Sequence, residues 1–254
     1  MQAFGKNITV QDFLPPILGR LRAFVSRRLR RASPPADDAA PLQYIHPKLG
    51  SHSQFGEDII LDALLDGQPT GTYIDVGAND PVRLSNTCRF HQRGWRGVNI
   101  EPTKTLWQRL NEVRPDDINL NIGAGAMNGT ATFYEMNIDT YSTFNKENSA
   151  EFCPGKEIAA TIEMPILTLS AIWAKHVGDK AVDFISVDVE GDNLGVLQGN
   201  DWARFRPRFV LVEMDRNERK GIIAFLTERN YELLFANSVN GIFGDRRADE
   251  QRSS

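Results

Sequence analysis

Three apolar runs of this chain each finish in a carboxylate, and this pattern restricts the fold more than any other feature of the sequence. The first, Thr72 to Val76, contains Asp75 and leads into Gly77-Ala78-Asn79-Asp80. The second, Gly97 to Ile100, runs into Glu101-Pro102, and the third, Val182 to Val187, into Asp188-Val189-Glu190-Gly191. Continuous apolar runs of this length are expected of strands buried on both faces, as in a parallel sheet covered by helices. Open parallel sheets bind ligands beyond the C-terminal ends of their strands. Acids at three such ends therefore point to one nucleotide-type ligand held along that edge.

The segments between the runs fit this architecture. Helical periodicity is read over Gln54 to Leu65, Ser85 to Arg93, Lys104 to Val113, Leu169 to His176 and Arg219 to Arg229. Further strands are expected at Ile118 to Ile122, Thr130 to Glu135 and Phe209 to Met214, and a terminal hairpin from Tyr231 to Phe235 and Asn240 to Phe243. Alternating strands and helices predict a doubly wound, mostly parallel seven-stranded α/β sheet of Rossmann-like class I type, closed by that antiparallel hairpin. Residues 136 to 165 show no clear period and read as an irregular insertion near the site.

The chain divides by composition into residues 1–41, a domain over 42–246 and a tail over 247–254. In the first part, Leu18, Leu21, Val25 and Leu29 recur at near-helical spacing among Arg20, Arg22, Arg27, Arg28, Arg30 and Arg31. That is the pattern of a short basic amphipathic helix over 17–31, and Ser33 to Pro41 reads as a linker. Three readings stand for it: a disordered or loosely docked extension, a helix that contacts a membrane surface or a protein partner, and a nucleic-acid contact. No stretch has the roughly 20 apolar residues of a bilayer span. No signal peptide is read at the N-terminus. Cys88 and Cys153 form no CxxC pair and read as free thiols, so a cytoplasmic setting, peripheral to the inner face of a membrane in the second reading, is expected. A net charge of −4 gives no electrostatic case for a nucleic-acid partner.

The loop after the first run separates two cofactor classes. A dinucleotide site asks for G-x-G-x-x-G, which lets the backbone approach a pyrophosphate. Here only Gly77 is present, and the later positions hold Asn79 and Pro81. One small residue suffices for S-adenosylmethionine, which has no pyrophosphate. Asp75 can orient the loop or meet the ligand's ammonium, and Glu101 can accept both ribose hydroxyls. The predicted cofactor set is Gln54, Asp75, Val76, Gly77, Ala78, Asn79, Glu101, Pro102, Gly123 and Asp188. Asp188 and Glu190 are the catalytic candidates, since a carboxylate near an acceptor hydroxyl takes its proton as the methyl group arrives. Tyr141 and Phe144, with Phe152, can offer flat faces to a sugar ring, and Glu213 is a further acid at a strand end on the acceptor side. No metal is expected: His46, His52, His91 and His176 lack ligand spacing, and no second acidic cluster backs Asp188, Glu190 and Asp192.

An ordered set of short strings resembles the FkbM family of methyltransferases over about residues 50–245. It comprises Ser53-Gln54-Phe55-Gly56-Glu57-Asp58, Tyr73 to Pro81, Gly94-Trp95-Arg96-Gly97, Ile100-Glu101-Pro102, Ser142-Thr143, Asp188 to Gly191, Arg206-Pro207 and Val212-Glu213. The resemblance implies S-adenosylmethionine-dependent O-methylation of a sugar hydroxyl in a glycoconjugate or surface polysaccharide. It also implies that the segment around Gln54 lies across the cofactor. Two positions depart from the family's pattern: Asn193 and Ser170 stand where acids are common. They support an alternative, a non-catalytic relative that binds cofactor or glycan within an assembly.

Overall fold

The computed structural model of the protein describes residues 50–145 and 157–247. The helices are α1 (Glu57–Leu64), α2 (Cys88–Gln92), α3 (Lys104–Val113), α4 (Leu169–His176), α5 (Asn193–Gln198) and α6 (Arg219–Glu228). The strands are β1 (Thr72–Val76), β2 (Arg96–Ile100), β3 (Ile118–Leu120), β4 (Gly123–Ala124), β5 (Gly129–Met136), β6 (Ile158–Leu167), β7 (Phe184–Val187), β8 (Phe209–Glu213), β9 (Tyr231–Ala236) and β10 (Asn240–Asp245). Seven strands form one sheet in the order β3-β2-β1-β7-β8-β10-β9. The first five run parallel, and β10 pairs antiparallel with both β8 and β9. The expected mostly parallel sheet with a terminal hairpin is thus present.

The apolar runs are apolar because both sheet faces are covered. Ile74, Val76, Ile185, Val187, Val210 and Val212 pack on one side against Leu169, Ile172 and Trp173 of α4, Val196 and Leu197 of α5, and Ile222 and Leu226 of α6. Tyr73, Phe184, Leu211 and Ile242 pack on the other against Leu61, Leu65, Phe90 and Trp95. The ring of Phe184 lies 4.8 Å from that of Phe90 and 5.8 Å from that of Trp95. Burying each such ring contributes about 1.5–3 kcal/mol. Odd and even residues of β1 therefore face different layers, which puts Asp75 on the Tyr73 side.

Some boundaries differ from expectation, for local reasons. Residues 158–167 are a strand, not part of an irregular insertion. β6 pairs antiparallel along β5 and parallel with β4 in a separate three-stranded sheet. Its less exposed residues Ala160, Ile162, Met164 and Ile166 alternate with Ala159, Thr161, Glu163 and Pro165. Pro165 within the run obscured that period. The third expected strand ends at Leu120, and Gly123–Ala124 turns away to the small sheet. Helix α1 starts at Glu57 rather than Gln54, because Gly56 takes a left-handed turn (φ 89°) at its N-cap. Helix α2 is restricted to Cys88–Gln92. The 17–31 helix, its linker, Phe152, Cys153 and residues 248–254 lie outside the described residues. Among the described residues no helix is long and apolar enough to cross a membrane, and Cys88 is a buried free thiol.

Candidate active site

A cavity of about 360 Å³ opens at the C-terminal ends of β1, β2 and β7. This is the size range of small-ligand and cofactor sites. Every residue of the predicted cofactor set lines it: Gln54, Asp75, Val76, Gly77, Ala78, Asn79, Glu101, Pro102, Gly123 and Asp188. So do Glu190, Tyr141 and Phe144. Glu213 is not among the lining residues; it stands behind Asp188.

Gly77 is required by packing as well as by conformation. Its φ is 78°, and a Cβ there would lie 1.7 Å from the Asp188 carbonyl oxygen. The N–H groups of Gly77 and Ala78 both donate to the Ile100 carbonyl, at 3.0 and 3.1 Å. The loop is thereby bound to the ends of β2 and β7 together. Glu101 completes the attachment: its Oε2 accepts from the Asn79 N–H at 2.8 Å and its Oε1 from the Thr103 N–H at 2.7 Å. Burial pushes its carboxyl up to about 7, against the pull of those two bonds. A carboxylate has about four acceptor positions. The Thr103 side chain bonds to the same carboxylate, which leaves one position to accept a ribose hydroxyl.

Asp75 is buried, and its Oδ2 accepts from the Thr87 hydroxyl at 2.6 Å. Burial raises its pKa, while bonds from Thr87 and Ser186 and the charge of Arg114 oppose the rise. Asp188 is half-buried, yet its Oδ1 is sealed from solvent and has no hydrogen-bond partner among the described residues. Its pKa is pushed well up, first by burial, then by the facing carboxylates of Glu213 and Glu190. Burial also raises Glu213. Glu190 sits in the left-handed region at φ 55°. Its carbonyl accepts from the Thr143 hydroxyl at 2.9 Å, which joins the small-sheet side of the cavity to the β7 loop.

The two departures from the family pattern have structural roles. Asn193 is fully buried; its Oδ1 accepts from the Val189 N–H at 3.0 Å and its Nδ2 donates to Glu213 at 3.0 Å. An acid there would face Glu213 with like charge. The start of α5 keeps two carboxylates: Asp192 at the N-cap accepts from the Gly195 N–H at 3.2 Å, and Glu218 from the Asn193 and Leu194 N–H groups at 3.2 and 3.1 Å. Ser170 Oγ accepts from the Asp201 N–H at 2.6 Å, away from the cavity.

Sequence reasoning missed the supports behind the site. Glu57 is buried and accepts from Asn237 and Asn240 Nδ2, each at 2.8 Å. Asp58 is buried and accepts from Ser51 and Ser53 hydroxyls and the His52 N–H, at 2.6, 2.9 and 2.8 Å. These two acids fold the 51–56 segment so that Gln54 reaches the cavity. The 83–86 wall was also missed; its only signal was the polar, turn-rich composition after Pro81. His52 does not line the cavity; its Nδ1 faces the Val82 carbonyl at 3.2 Å. Among the described residues no group of three His, Cys, Asp or Glu side chains could hold a metal.

No curated protein matches the chain. Among solved structures, it is similar to a TehB-like SAM-dependent methyltransferase from Corynebacterium glutamicum at 11% identity and a TM-score of 0.41, over 91% of this chain and 100% of that one. A methyltransferase from Geobacter sulfurreducens is similar at 13% identity and a TM-score of 0.39, over 88% and 96%. A family model described as the methyltransferase FkbM domain matches residues 75–233. That match spans β1 to β9, more than half of the chain, and the protein therefore belongs to the FkbM methyltransferases, whose expected cofactor is S-adenosylmethionine.

Proposed function

We propose that this methyltransferase is an O-methyltransferase acting on a sugar hydroxyl of a glycoconjugate or surface polysaccharide. The observation that carries the reading is the pair of acids Asp188 and Glu190 lining the cavity at the end of β7. An attacking hydroxyl must lose its proton as its oxygen gains a methyl group, so a carboxylate beside the donor site suits oxygen acceptors.

The residues present fit the cofactor. Glu101 lines the cavity and retains an acceptor position for a ribose hydroxyl, beside the Gly77 loop. When bound, S-adenosylmethionine supplies an electrophilic methyl group on a sulfonium. Glu101 holds the ribose, the Gly77–Asn79 backbone fixes the depth of the site, and Gln54 covers it. Asp188 accepts the acceptor's proton, and Glu190 shares its contact with donor and acceptor. Tyr141 and Phe144 offer faces to the sugar, with Ser142, Thr140 and Asn86 as polar neighbours on the wall. Holding donor and acceptor aligned supplies much of the rate gain.

The alternative, a non-catalytic relative that binds cofactor or glycan, predicts cofactor binding without turnover. The test is turnover of labelled S-adenosylmethionine on a panel of free sugars, nucleotide sugars and surface-glycan extract, with mass spectrometry of the product. A methyl ether on a sugar oxygen is expected; a methylated amine or carboxylate, or no turnover on any glycan, would overturn the reading. Part of the same proposal is peripheral contact of residues 17–31 with anionic membrane, where each arginine contributes about 1 kcal/mol. Sedimentation with anionic vesicles, lost when residues 1–41 are removed, checks it.

A further inference from the structure

Arg114, just past α3, is the largest cation in the interior, with 1% of its surface exposed. Among the described residues its hydrogen-bond partners include no carboxylate. Its Nη1 donates to the Thr87 hydroxyl at 2.7 Å, and its Nη2 to the Ser85 hydroxyl at 2.9 Å and to the Pro81 carbonyl. Longer contacts of 3.5 Å reach the Tyr73 hydroxyl and Asn99 Oδ1. Its charge is balanced through intermediaries. The Thr87 hydroxyl in turn donates to Asp75 Oδ2 at 2.6 Å, and Tyr73 donates to the buried Asp117 at 2.5 Å.

One planar group thus holds both ends of the 81–87 segment. Between those ends, Arg83, Leu84, Ser85 and Asn86 form one wall of the cavity. Leu84 stands at φ 56°, a conformation costly for a side chain with a Cβ, so the wall needs outside restraint to keep its shape. The guanidinium fork suits this task where an ammonium would not, because its donors diverge in fixed directions.

We propose that Arg114 is a positioning residue of the cofactor site: through Ser85 and Pro81 it sets the wall of the cavity, and through Thr87 it sets the place of the Asp75 carboxylate. The inference rests on the reading of this cavity as the S-adenosylmethionine site. It makes Arg114 felt in ligand affinity, although the side chain does not line the cavity.

Binding of S-adenosylhomocysteine, measured by calorimetry on the full chain, tests this beside thermal unfolding of the ligand-free protein. R114M is expected to weaken binding about tenfold or more, the scale of losing bonds to a charged group. T87V is expected to weaken it less, and the R114M/T87V double variant to bind no worse than R114M, since both changes break one chain of contacts. R114K, keeping charge but not the fork, is expected to recover only part of the loss. Should R114M fail to fold, R114K with T87V and S85A completes the same cycle. Unchanged affinity in folded Arg114 variants, with only the unfolding temperature lowered, overturns the proposal. So do fully additive losses in the double variant. Failure of the unaltered protein to bind S-adenosylhomocysteine strikes the cofactor-site reading instead.

Discussion

The two sides of the cavity are built differently. On the large-sheet side, β1, β2 and β7 run parallel in fixed register, and Asp75, Asn99 and Ser186 lie abreast. The acids there are buried and attached to backbone N–H groups or hydroxyls: Glu101 to two N–H groups, Asp75 to Thr87. On the small-sheet side, β4, β5 and β6 present Gly123, Phe133 and the loop bearing Tyr141 and Phe144. Tyr141 is 38% exposed there. A donor that never changes is matched by a wall with little freedom. In the proposed function the acceptor meets side chains at a rim, where substitution leaves the sheet intact. If this contrast is sound, changes on the first side affect every turnover and changes on the second affect choice of acceptor.

Asp188→Asn should have the largest effect. The substitution keeps the shape and removes the base. Turnover of a sugar acceptor should fall by about 10²–10⁴, the usual range for a positioned general base, with S-adenosylhomocysteine affinity changing far less. Single-turnover rates measured at saturating cofactor give the answer. A turnover within threefold of the unaltered protein would remove Asp188 from the chemistry and leave it a purely structural partner of Glu213.

Glu101 comes next, and its pH dependence has a definite sign. Its folded pKa is raised to about 7 by burial, from an ordinary value of 4.5. The protonated form therefore fits the ligand-free protein better. Its contribution to stability is complete below about 4.5 and is lost as pH rises to about 7. Ribose hydroxyls donate to the ionised form, so cofactor affinity should move the other way and strengthen as pH rises through that range. Glu101→Gln should weaken S-adenosylhomocysteine binding by about 1–3 kcal/mol at pH 8 and flatten both profiles. Titration calorimetry at several pH values checks this; an affinity independent of pH in the unaltered protein would mean that Glu101 serves the Asn79 loop alone.

The same division governs what the sequence made legible. Thr72–Val76, Arg96–Ile100 and Phe184–Val187 are mostly apolar because both faces are buried, and runs of that kind announce themselves without a structure. The acids Asp75, Glu101 and Asp188 stand out against these runs, and all three line the one cavity, whereas Glu213 at the end of β8 does not. Helix α3 was readable to the residue, its apolar positions falling on one face. Interactions between segments remote in sequence left no such trace. Arg114 meets Ser85 and Thr87 across two strands, and Glu57 meets Asn237 and Asn240 from the opposite end of the chain. Each is a polar residue whose burial depends on its partner, and neither partner has a period or a spacing to mark it. β6 was hidden for another reason: its alternation is weak because half of it stays exposed, and Pro165 interrupts it.

The smallest predicted effect is on the rim. Tyr141 closes a 3-10 turn at Asp139–Tyr141, and its ring borders the cavity. Exposure at this level means that removing the ring opens no internal void, so Tyr141→Ala should change stability by no more than about 0.5 kcal/mol. Phe144 differs: its ring lies 4.9 Å from that of Phe133 and occupies the space that a side chain at Gly123 would need. Phe144→Ala should therefore lower stability as well as alter binding, which makes it the poorer probe of the acceptor. An aromatic face contributes about 0.5–1.5 kcal/mol beyond its buried area, so loss of the Tyr141 ring should raise the acceptor KM by up to about tenfold. The cofactor Kd should stay the same, because Glu101 and the Gly77 loop do not depend on that ring. Parallel KM measurements on two sugars that differ in one hydroxyl sharpen the test, since a rim that selects acceptors should shift their ratio. A Tyr141→Ala protein with both KM values unchanged, or with cofactor affinity reduced alongside them, would erase the distinction between a fixed donor side and a selective acceptor side.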